Sequence, residues 1–423
     1  MTDERTEVIE AAKRARIAAR KLATATRSDK DHALGVMADA LIQHSALIVQ
    51  ANALDVKAAE ENGTDPAIID RLTLNDERVR AVAEALRSVS DIADPIGEVV
   101  REFTRPNGLH IRQVRVPMGV VAMIYEARPN VTADAAGLSL KSGNSVLLRG
   151  SSSAYQTNSK LVEVMRAALE DTAIPADVIQ LAPGTTHEAA KHLMTARGFV
   201  DVIIPRGGEG LISSVVAQSS VPVIETGVGN CHVYVDASAD VDMAVSIVVN
   251  SKTQRVSVCN TAETLLVHKD IAADFMPKLL AEFKSKGVTI HGDKAIEQFA
   301  RSADAPYVPV TPQDWAAEYY SLDIAAGVVT NLDEALDHIR TWSTGHTEAI
   351  VSNDAMNIHR FTTELDSAVI MVNASTRFTD GGEFGFGAEI GISTQKLHAR
   401  GPMGLSELTT TTYIVTGSGQ IRN

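Results

Sequence analysis

The chain has 423 residues, 45% of them hydrophobic, which is enough for two or three domains with sizeable cores. It carries 53 Asp and Glu against 39 Lys and Arg, a formal net charge of −14, and it has no long basic run, which argues against nucleic acid or an anionic membrane as its main partner. Two cysteines, a charged N-terminus and no apolar run near the roughly 20 residues of a membrane span together predict a reducing, cytoplasmic location.

The N-terminal segment is predicted to be helical and structural. Apolar residues recur at helical spacing over 4–60, with Ser28 and Asp29 marking a break and an N-cap, and a further helix is predicted at about 76–90. From Val99 to Met118 apolar and polar residues alternate around a turn, which predicts two strands. Such a pair is too small for a core of its own, so we expect it to pack against another element, for example a neighbouring subunit.

Residues 120–225 alternate between short β-branched runs and helical segments. Strands are predicted at Val120–Tyr125, Ser145–Leu148, Val178–Leu181, Val200–Ile204 and Val221–Ile224, with helices near 131–142, 154–171, 186–196 and 208–218. This alternation predicts a parallel sheet with helices on its faces. Ligands of such sheets bind beyond the carboxyl ends of the strands, where helix N-termini present backbone N–H groups to phosphates.

Two strand-to-helix turns in this region carry arginine, glycine and hydroxyl groups. The first is Arg149-Gly150-Ser151-Ser152 and the second is Arg206-Gly207-Gly208. The G-x-G-x-x-G fingerprint is absent from the sequence. Two interpretations stay open at this level: a nucleotide rests on these turns, with Arg149 suited to a 2′-phosphate, or the residues only serve loop geometry and helix capping.

A second alternating block follows Thr226-Gly227, with strands and helices predicted from His232 to Val372. Cys259 lies near its start, in a polar loop before the predicted strand Ala262–Val267. There it could act as a nucleophile, although free cysteine is often only a small buried hydrophobe, as we expect for Cys231. The threonine-rich tail at 408–416 is predicted to be a strand that pairs elsewhere, and the 99–118 segment is one candidate.

The order of these motifs resembles the aldehyde dehydrogenase superfamily, and within it the gamma-glutamyl phosphate reductases. The resemblance runs nearly end to end. It rests on Val116-Pro117-Met118-Gly119-Val120, Ala127-Arg128-Pro129-Asn130, Lys141 to Arg149, Ile224-Glu225-Thr226-Gly227, Lys252 to Asn260 and Glu383 to Gln395. Val256 stands where the family commonly has proline. Arg149 stands where the superfamily usually has lysine, and arginine at this position is typical of the family.

The resemblance implies an α/β fold of the aldehyde dehydrogenase type, with a Rossmann-type parallel-sheet nucleotide domain, a second α/β catalytic domain and a small β oligomerisation element. It assigns 1–98 and 119–228, rejoined near 375–398, to NADPH binding. It assigns 229–374 to catalysis, and 99–118 with 399–423 to oligomerisation. It also implies a homo-oligomer, a possible functional coupling to glutamate 5-kinase and no metal.

The implied reaction is the NADPH-dependent reduction of L-glutamyl 5-phosphate to L-glutamate 5-semialdehyde, the second step of proline biosynthesis, through a thioester on Cys259. Asn130 and the Cys259 backbone N–H would form the oxyanion hole, and Glu225 would lie near the cysteine. The implied cofactor contacts are Arg149, Gly150, Ser151, Ser152, Arg206, Gly207, Gly208, Glu383 and Phe386.

Arg128 and Arg255 are the substrate-binding candidates. For Arg255 three roles stay open: lowering the pKa of the cysteine, holding a substrate phosphate or carboxylate, or a solvated surface charge. Two competing functions remain as well. One is a hydrolysing aldehyde dehydrogenase, in which Glu225 would activate water, and the other is a binding protein that kept the fold without catalysis.

Overall fold

The structure is a computed structural model, and it describes residues 3–422 except for the side chain of Ala67. Helices and strands alternate along most of this length. The helices are α1 (Glu4–Leu22), α2 (Arg27–Gln43), α3 (Ser45–Glu61), α4 (Pro66–Leu72), α5 (Asp76–Asp91), α6 (Asn130–Lys141), α7 (Tyr155–Leu169), α8 (His187–Met194), α9 (Glu209–Gln218), α10 (Val241–Thr253), α11 (Lys269–Lys286), α12 (Lys294–Ala303), α13 (Pro312–Trp315), α14 (Leu332–Trp342) and α15 (Ala355–Glu364). The strands are β1 (Val99–Thr104), β2 (His110–Pro117), β3 (Val120–Tyr125), β4 (Ser145–Arg149), β5 (Ile179–Leu181), β6 (Val202–Arg206), β7 (Cys231–Val235), β8 (Ala262–His268), β9 (Thr289–Gly292), β10 (Tyr307–Pro309), β11 (Asp323–Val329), β12 (Thr347–Val351), β13 (Val369–Val372), β14 (Gly391–Ser393), β15 (Gly401–Met403) and β16 (Thr409–Thr416).

The helical N-terminal segment is confirmed, but the predicted break at Ser28 and Asp29 is wrong. Helix α2 already begins at Arg27, and its N-cap is Thr26. The Thr26 hydroxyl accepts from the Asp29 backbone N–H, and the Asp29 carboxylate accepts from the Thr26 backbone N–H. Asp29 therefore lies inside the helix and completes a capping box with Thr26. Threonine and aspartate are both common N-cap residues, so the sequence alone did not show which of the two is the N-cap.

A four-stranded parallel sheet with the order β5-β4-β3-β6 lies in the first part of the chain, as the strand–helix alternation predicted. Its strands are nearly all buried, which explains why they are continuous apolar runs without alternation. The predicted strand at Val221–Ile224 is wrong, since only Val223 forms a bridge there, to Ile203.

A seven-stranded parallel sheet with the order β10-β9-β11-β8-β7-β12-β13 lies in the second part. Strand β8 is central, and all seven of its residues are buried. Helices α10 and α11 pack on it through Val248, Phe275, Leu279 and Phe283, which are fully buried. The Cys259 loop leads directly into β8, the central strand of this sheet.

The two predicted strands at 99–118 are β1 and β2, which pair antiparallel. The tail strand β16 adds to the other edge of β2, with Thr409 opposite Pro117 and Thr416 opposite His110. The outer strands carry exposed apolar side chains, among them Tyr413 and Val415. Pairing between residues about 300 positions apart thus gives this small sheet its third strand.

The chain forms two compact units. The first comprises Met1–Thr226, Gly385–Gly391 and Met403–Asn423, and the second comprises Gly227–Phe384 and Ile392–Pro402. Among residues 3–422 no single helix is long and apolar enough to cross a membrane, and the bent pair α2 and α3 meets that criterion of length and composition only when the two are taken together.

Candidate active site

Cys259 lies in the loop that joins the C-terminal end of α10 to the start of β8, in the second unit. Its side chain is partly buried, whereas Cys231 is fully buried. The two cysteines thus differ in exposure as the sequence predicted, and Cys259 is the one that a small molecule can reach.

A buried ion pair closes the base of this loop. Lys252, in the last turn of α10, donates from Nζ to Glu263 Oε2 on β8 at 2.6 Å, and both side chains are fully buried. Burial raises the pKa of Glu263 to about 7, although Lys252 acts to lower it. Burial likewise lowers the pKa of Lys252, and the charge of Glu263 opposes that shift. The pair fixes the two ends of the loop at one separation.

The carbonyl group of Cys259 is closely packed against Cys231 and Gly229. The thiol of Cys231 donates to the carbonyl oxygen of Cys259 at 3.2 Å. The backbone of Gly229 lies so close that a Cβ there would fall 1.4 Å from the same oxygen. Cys231, predicted to be a buried structural residue, is therefore buried and also hydrogen-bonded to the backbone of the other cysteine.

The Cys231 thiol also lies 3.7 Å from His346 Nδ1. Burial first, and then the negative charge of Glu348, raise the pKa of Cys231. This thiol therefore stays protonated, which it must to donate a hydrogen bond.

A second segment of the same unit wraps the other side of the cysteine turn. It is the short 3₁₀ turn Thr376–Phe378. The Thr376 hydroxyl donates to the Asn260 carbonyl at 2.6 Å, and the Asn260 amide donates to the carbonyl oxygens of Thr379 at 2.9 Å and Arg377 at 3.3 Å. These bonds place the Arg377 backbone next to the Cys259 loop.

Arg255, a predicted substrate contact, lies in the Cys259 loop itself and is exposed. Its carbonyl accepts from the Thr261 hydroxyl at 2.7 Å, which folds the loop back on itself. Arg377 Nε donates to the neighbouring Gln254 side chain at 2.8 Å. Sequence reasoning missed Arg377, although it closely follows strand β13, the position that drew attention to Arg149 and Arg206.

Glu383, a predicted ribose contact, is exposed and lines a surface cavity of about 220 Å³ in the second unit. The cavity is also lined by Asn250, Gln254, Arg377, Phe378 and Asp380. Asp380 Oδ1 accepts from the backbone N–H groups of Gly382 and Glu383, which shapes the turn that carries Glu383.

Asn130 is the first residue of α6, in the first unit, and its side chain is exposed. Its amide donates to Asp134 Oδ2, one helical turn later, at 3.0 Å. Burial raises the pKa of Asp134 to about 6, while Asn130 and the charge of Arg206 act to lower it. An amide has two N–H donors, so the bond to Asp134 orients the group and leaves a second donor.

The predicted cofactor turn at Arg149 follows β4 in the same unit. The Arg149 guanidinium donates to the carbonyl oxygens of Thr185 at 2.8 Å, of Thr186 at 3.0 Å and of Gly150. Burial lowers the pKa of Arg149, and Glu4 and Tyr125 oppose that shift. Within residues 3–422 its buried Nε has no hydrogen-bond partner.

Gly150 packs directly on other side chains. A Cβ there would lie 2.2 Å from Asn158 Nδ2 and 3.1 Å from the Tyr125 ring. Thr132 of α6 joins these two residues, since its hydroxyl lies 2.7 Å from the Tyr125 hydroxyl and donates to Asn158 Oδ1 at 2.8 Å. The buried network links the Gly150 turn to the helix that carries Asn130.

The second predicted cofactor turn follows β6. A Cβ on Gly207 would lie 2.6 Å from the Glu126 carboxyl carbon, and Gly208 is the N-cap of α9. Arg206 lies against Gly391, where a Cβ would fall 3.0 Å from its Nη1. Ser151 and Ser152 precede α7 at the other turn, with Ser151 and Ser153 hydroxyls 2.8 Å apart.

The remaining predicted residues of the first unit lie in three separate connecting segments. Glu225 is partly buried and precedes Thr226, whose hydroxyl donates to the Pro205 carbonyl at 2.8 Å. Arg128 is partly buried, and its backbone N–H donates to Glu126. Phe386 is 40% exposed and packs beside Gly404.

Comparison with known proteins places these features in a family. The model of the aldehyde dehydrogenase family matches residues 2–298. A gamma-glutamyl phosphate reductase of Thermobifida fusca is 60% identical over 422 residues, which covers all of both chains. One of Kineococcus radiotolerans is 55% identical over 98% of this chain and 96% of its own. The chain belongs to the gamma-glutamyl phosphate reductases of the aldehyde dehydrogenase family.

The fold agrees with this assignment. A crystal structure of gamma-glutamyl phosphate reductase from Thermotoga maritima is 45% identical, covers 99% of this chain and 100% of its own, and superposes with a TM-score of 0.95. The predicted α/β fold of the aldehyde dehydrogenase type is thus confirmed. The chain is an oxidoreductase that acts on a small molecule and belongs to a family that uses a nicotinamide nucleotide.

Proposed function

We propose that this chain reduces L-glutamyl 5-phosphate to L-glutamate 5-semialdehyde and phosphate in proline biosynthesis, with Cys259 as nucleophile and NADPH as reductant. The observation that carries the proposal is the partly exposed cysteine on a fixed loop, in a chain 60% identical over its full length to a relative named for this activity. A cysteine on a mobile surface loop would not be held in an attack geometry.

The proposed chemistry begins at the Cys259 sulfur. The thiolate attacks the acyl carbon, a C–S bond forms, and the C–O bond to the phosphate breaks, so that phosphate leaves with the electron pair. A nicotinamide nucleotide, when bound, would supply hydride to the resulting thioester. Expulsion of the Cys259 thiolate then breaks the C–S bond, releases the aldehyde and restores the nucleophile.

Both addition steps place negative charge on the former carbonyl oxygen. We assign the Asn130 amide and the Cys259 backbone N–H as its donors, since a positioned donor of this kind lowers the barrier by about 2.7–4 kcal/mol. Asp134 would orient the Asn130 amide through the 3.0 Å bond. A reductase needs no activated water, so we assign Glu225 to hydrogen bonding or proton transfer rather than to hydrolysis.

The turns of the first unit suit a dinucleotide phosphate. Arg149 ends β4 and Arg206 ends β6, the two parallel strands that flank β3. Gly150 and Gly207 follow them, and the hydroxyls of Ser151 and Ser152 lie near a helix start. The buried Nε of Arg149 without a partner among the described residues is a donor that an anion can satisfy. We assign these residues, with Gly208, Glu383 and Phe386, to NADPH, and Arg149 to its 2′-phosphate.

The remaining assignments are also proposals. Arg128 is assigned to the substrate, the first unit to NADPH binding and the second to catalysis. The sheet of β1, β2 and β16 is assigned to homo-oligomer contacts, since its outer strands expose Tyr413 and Val415. We also propose that the protein works in the cytoplasm and is functionally coupled to glutamate 5-kinase. The lack of a disulfide between its two cysteines suits a reducing compartment.

The reverse reaction tests the proposed function. We expect the purified protein to oxidise glutamate 5-semialdehyde with NADP⁺ only when phosphate or arsenate is supplied, and Cys259→Ser to abolish this activity while the protein still unfolds at the wild-type temperature. Phosphate-independent formation of glutamate would instead support a hydrolysing aldehyde dehydrogenase. Undiminished activity of Cys259→Ser would exclude the covalent mechanism, and no turnover in either direction would support a binding protein.

A further inference from the structure

We propose that Arg377, together with Arg255, forms the subsite that receives the phosphoryl group of the acyl phosphate as it leaves Cys259. The inference rests on the proposed function and adds to it a residue outside the cysteine motif. Both arginines belong to the second unit, as does Cys259.

The first support is the way in which Arg377 is tied to the cysteine turn. Its 3₁₀ turn is joined to Asn260, the residue after the nucleophile, by the Thr376 hydroxyl bond at 2.6 Å and by the Asn260 amide bonds at 2.9 and 3.3 Å. Asn260 itself is buried. A shift of Cys259 would therefore have to move the backbone of Arg377 with it.

The second support is that Arg255 approaches the same turn from within the loop. Its carbonyl is bonded to Thr261, two residues after Cys259, and its neighbour Gln254 accepts from Arg377 Nε. Because the Gln254 bond uses only Nε, the two terminal nitrogens of the Arg377 guanidinium keep four N–H donors. Arg377 lines a surface cavity together with Gln254 and Asn250, and Asp380 and Glu383 line it as well.

The third support is electrostatic. Burial and the charge of Arg255 lower the pKa of Arg377, whereas Cys259 and Asp380 raise it, so the two guanidinium groups lie close enough to repel each other near the thiol. Among residues 3–422 neither arginine has a carboxylate within 4.0 Å, although the chain carries a net charge of −14. Arg377 is partly buried whereas Arg255 is exposed, and a partly desolvated cation is costly unless an anion pairs with it.

A phosphoryl group is the anion that this arrangement suits. The planar guanidinium offers parallel N–H groups that match two phosphate oxygens, which makes arginine the preferred bidentate partner of phosphate. When the C–O bond breaks, the electron pair moves onto the phosphate, and its charge grows where the guanidinium groups lie. In the reverse direction the same groups would hold inorganic phosphate for attack on the thioester.

The test measures the oxidative direction, in which inorganic phosphate is a substrate. We compare Arg377→Gln, Arg377→Lys and Arg255→Gln with the control Arg340→Gln, an arginine of the same unit that pairs with Asp337 and Glu364 on the surface. We expect Arg377→Gln to raise the KM for phosphate about 10- to 100-fold, the loss of a charge-assisted hydrogen bond. Arg377→Lys should recover part of this, and the control should match wild type.

A second readout does not require turnover. We measure the rate at which iodoacetamide alkylates Cys259 across pH, with and without inorganic phosphate. We expect phosphate to slow alkylation of wild type and of Arg340→Gln but not of Arg377→Gln. An alkylation profile displaced to higher pH, with unchanged phosphate KM, would mean that Arg377 only stabilises the thiolate and would overturn the inference.

Other outcomes also overturn it. If Arg377→Gln raises the KM for NADP⁺ or for the semialdehyde and leaves that for phosphate unchanged, the anion is a cofactor phosphate or the substrate carboxylate. If the wild type itself needs no phosphate, the proposed function fails, which is distinct from failure of the subsite. Full phosphate dependence in wild type with an unaltered Arg377→Gln variant would refute the subsite alone.

Discussion

The buried pair of Lys252 and Glu263 offers a sharp test of how the cysteine loop is held. Lys252→Met keeps a similar volume and removes the ammonium group that donates to Glu263 Oε2 at 2.6 Å. Both side chains are fully buried, so water cannot replace the lost partner. Breaking such a pair by removing one member costs about 3–5 kcal/mol of unfolding free energy.

The penalty should depend on pH with a definite sign. The pKa of Glu263 is already raised to about 7 with Lys252 in place, and without Lys252 burial would raise it further. The folded state then binds the proton more tightly than the unfolded chain, so stability is greatest below the ordinary carboxyl pKa and is lost as pH rises towards the folded pKa. Lys252→Met should therefore be more destabilised at pH 8 than at pH 6.

The assay uses the two tryptophans of the chain, Trp315 and Trp342, which both belong to the second unit. Denaturant unfolding followed by tryptophan fluorescence therefore reports on the unit that holds the pair. The double variant Lys252→Met/Glu263→Met is the matched control, because replacing both members by apolar groups of similar volume is often neutral or stabilising. A double-mutant cycle then isolates the interaction.

Particular results would refute this reasoning. A double variant as unstable as the worse single variant would show that packing rather than charge pairing dominates. An unfolding midpoint of Lys252→Met that matches wild type would show that the pair contributes nothing. We further expect the single variant to alter the alkylation rate of Cys259, since the pair sets the separation of the loop ends.

Two other substitutions test the close packing of Gly229 against Cys259 and the proposed role of Arg149 in cofactor binding. Gly229→Ala places a Cβ 1.4 Å from the Cys259 carbonyl oxygen, so we expect kcat to fall about 100-fold or more. The control Gly35→Ala, whose Cβ would have no atom within 4 Å, should leave kcat unchanged. Equal activity of the two variants would refute the close approach of Gly229 to Cys259. Arg149→Ala should raise the KM for NADPH more than that for NADH, and because the guanidinium also binds the Thr185 and Thr186 carbonyls, both values should rise somewhat. Equal effects on the two cofactors would mean that Arg149 serves only the loop.

The parallel sheets could be predicted from the sequence because strands covered on both faces are continuous apolar runs. Strand β3 has the predicted bounds, and β8 extends the predicted Ala262–Val267 by one residue, to His268. Val221–Ile224 has the same composition but forms a single bridge, since strand formation there depends on a neighbour that the local pattern does not reveal. The start of α2 was misplaced for a similar reason, because Thr26 and Asp29 cap the helix as a pair.

The sequence by itself determined the fold class and the family and led to Cys259 as the proposed nucleophile, since apolar periodicity and short motifs are local properties of the chain. The tertiary structure alone decided what surrounds Cys259: Gly229 and Cys231 at its carbonyl, Lys252 and Glu263 at the base of its loop, and Arg377 from 118 positions later in the chain. These contacts depend on tertiary packing: the Lys252–Glu263 pair joins α10 to the strand that follows it, and the others bring together residues 28 to 118 positions apart. Loop geometry and desolvated charge, which make a cysteine reactive, are properties of that packing.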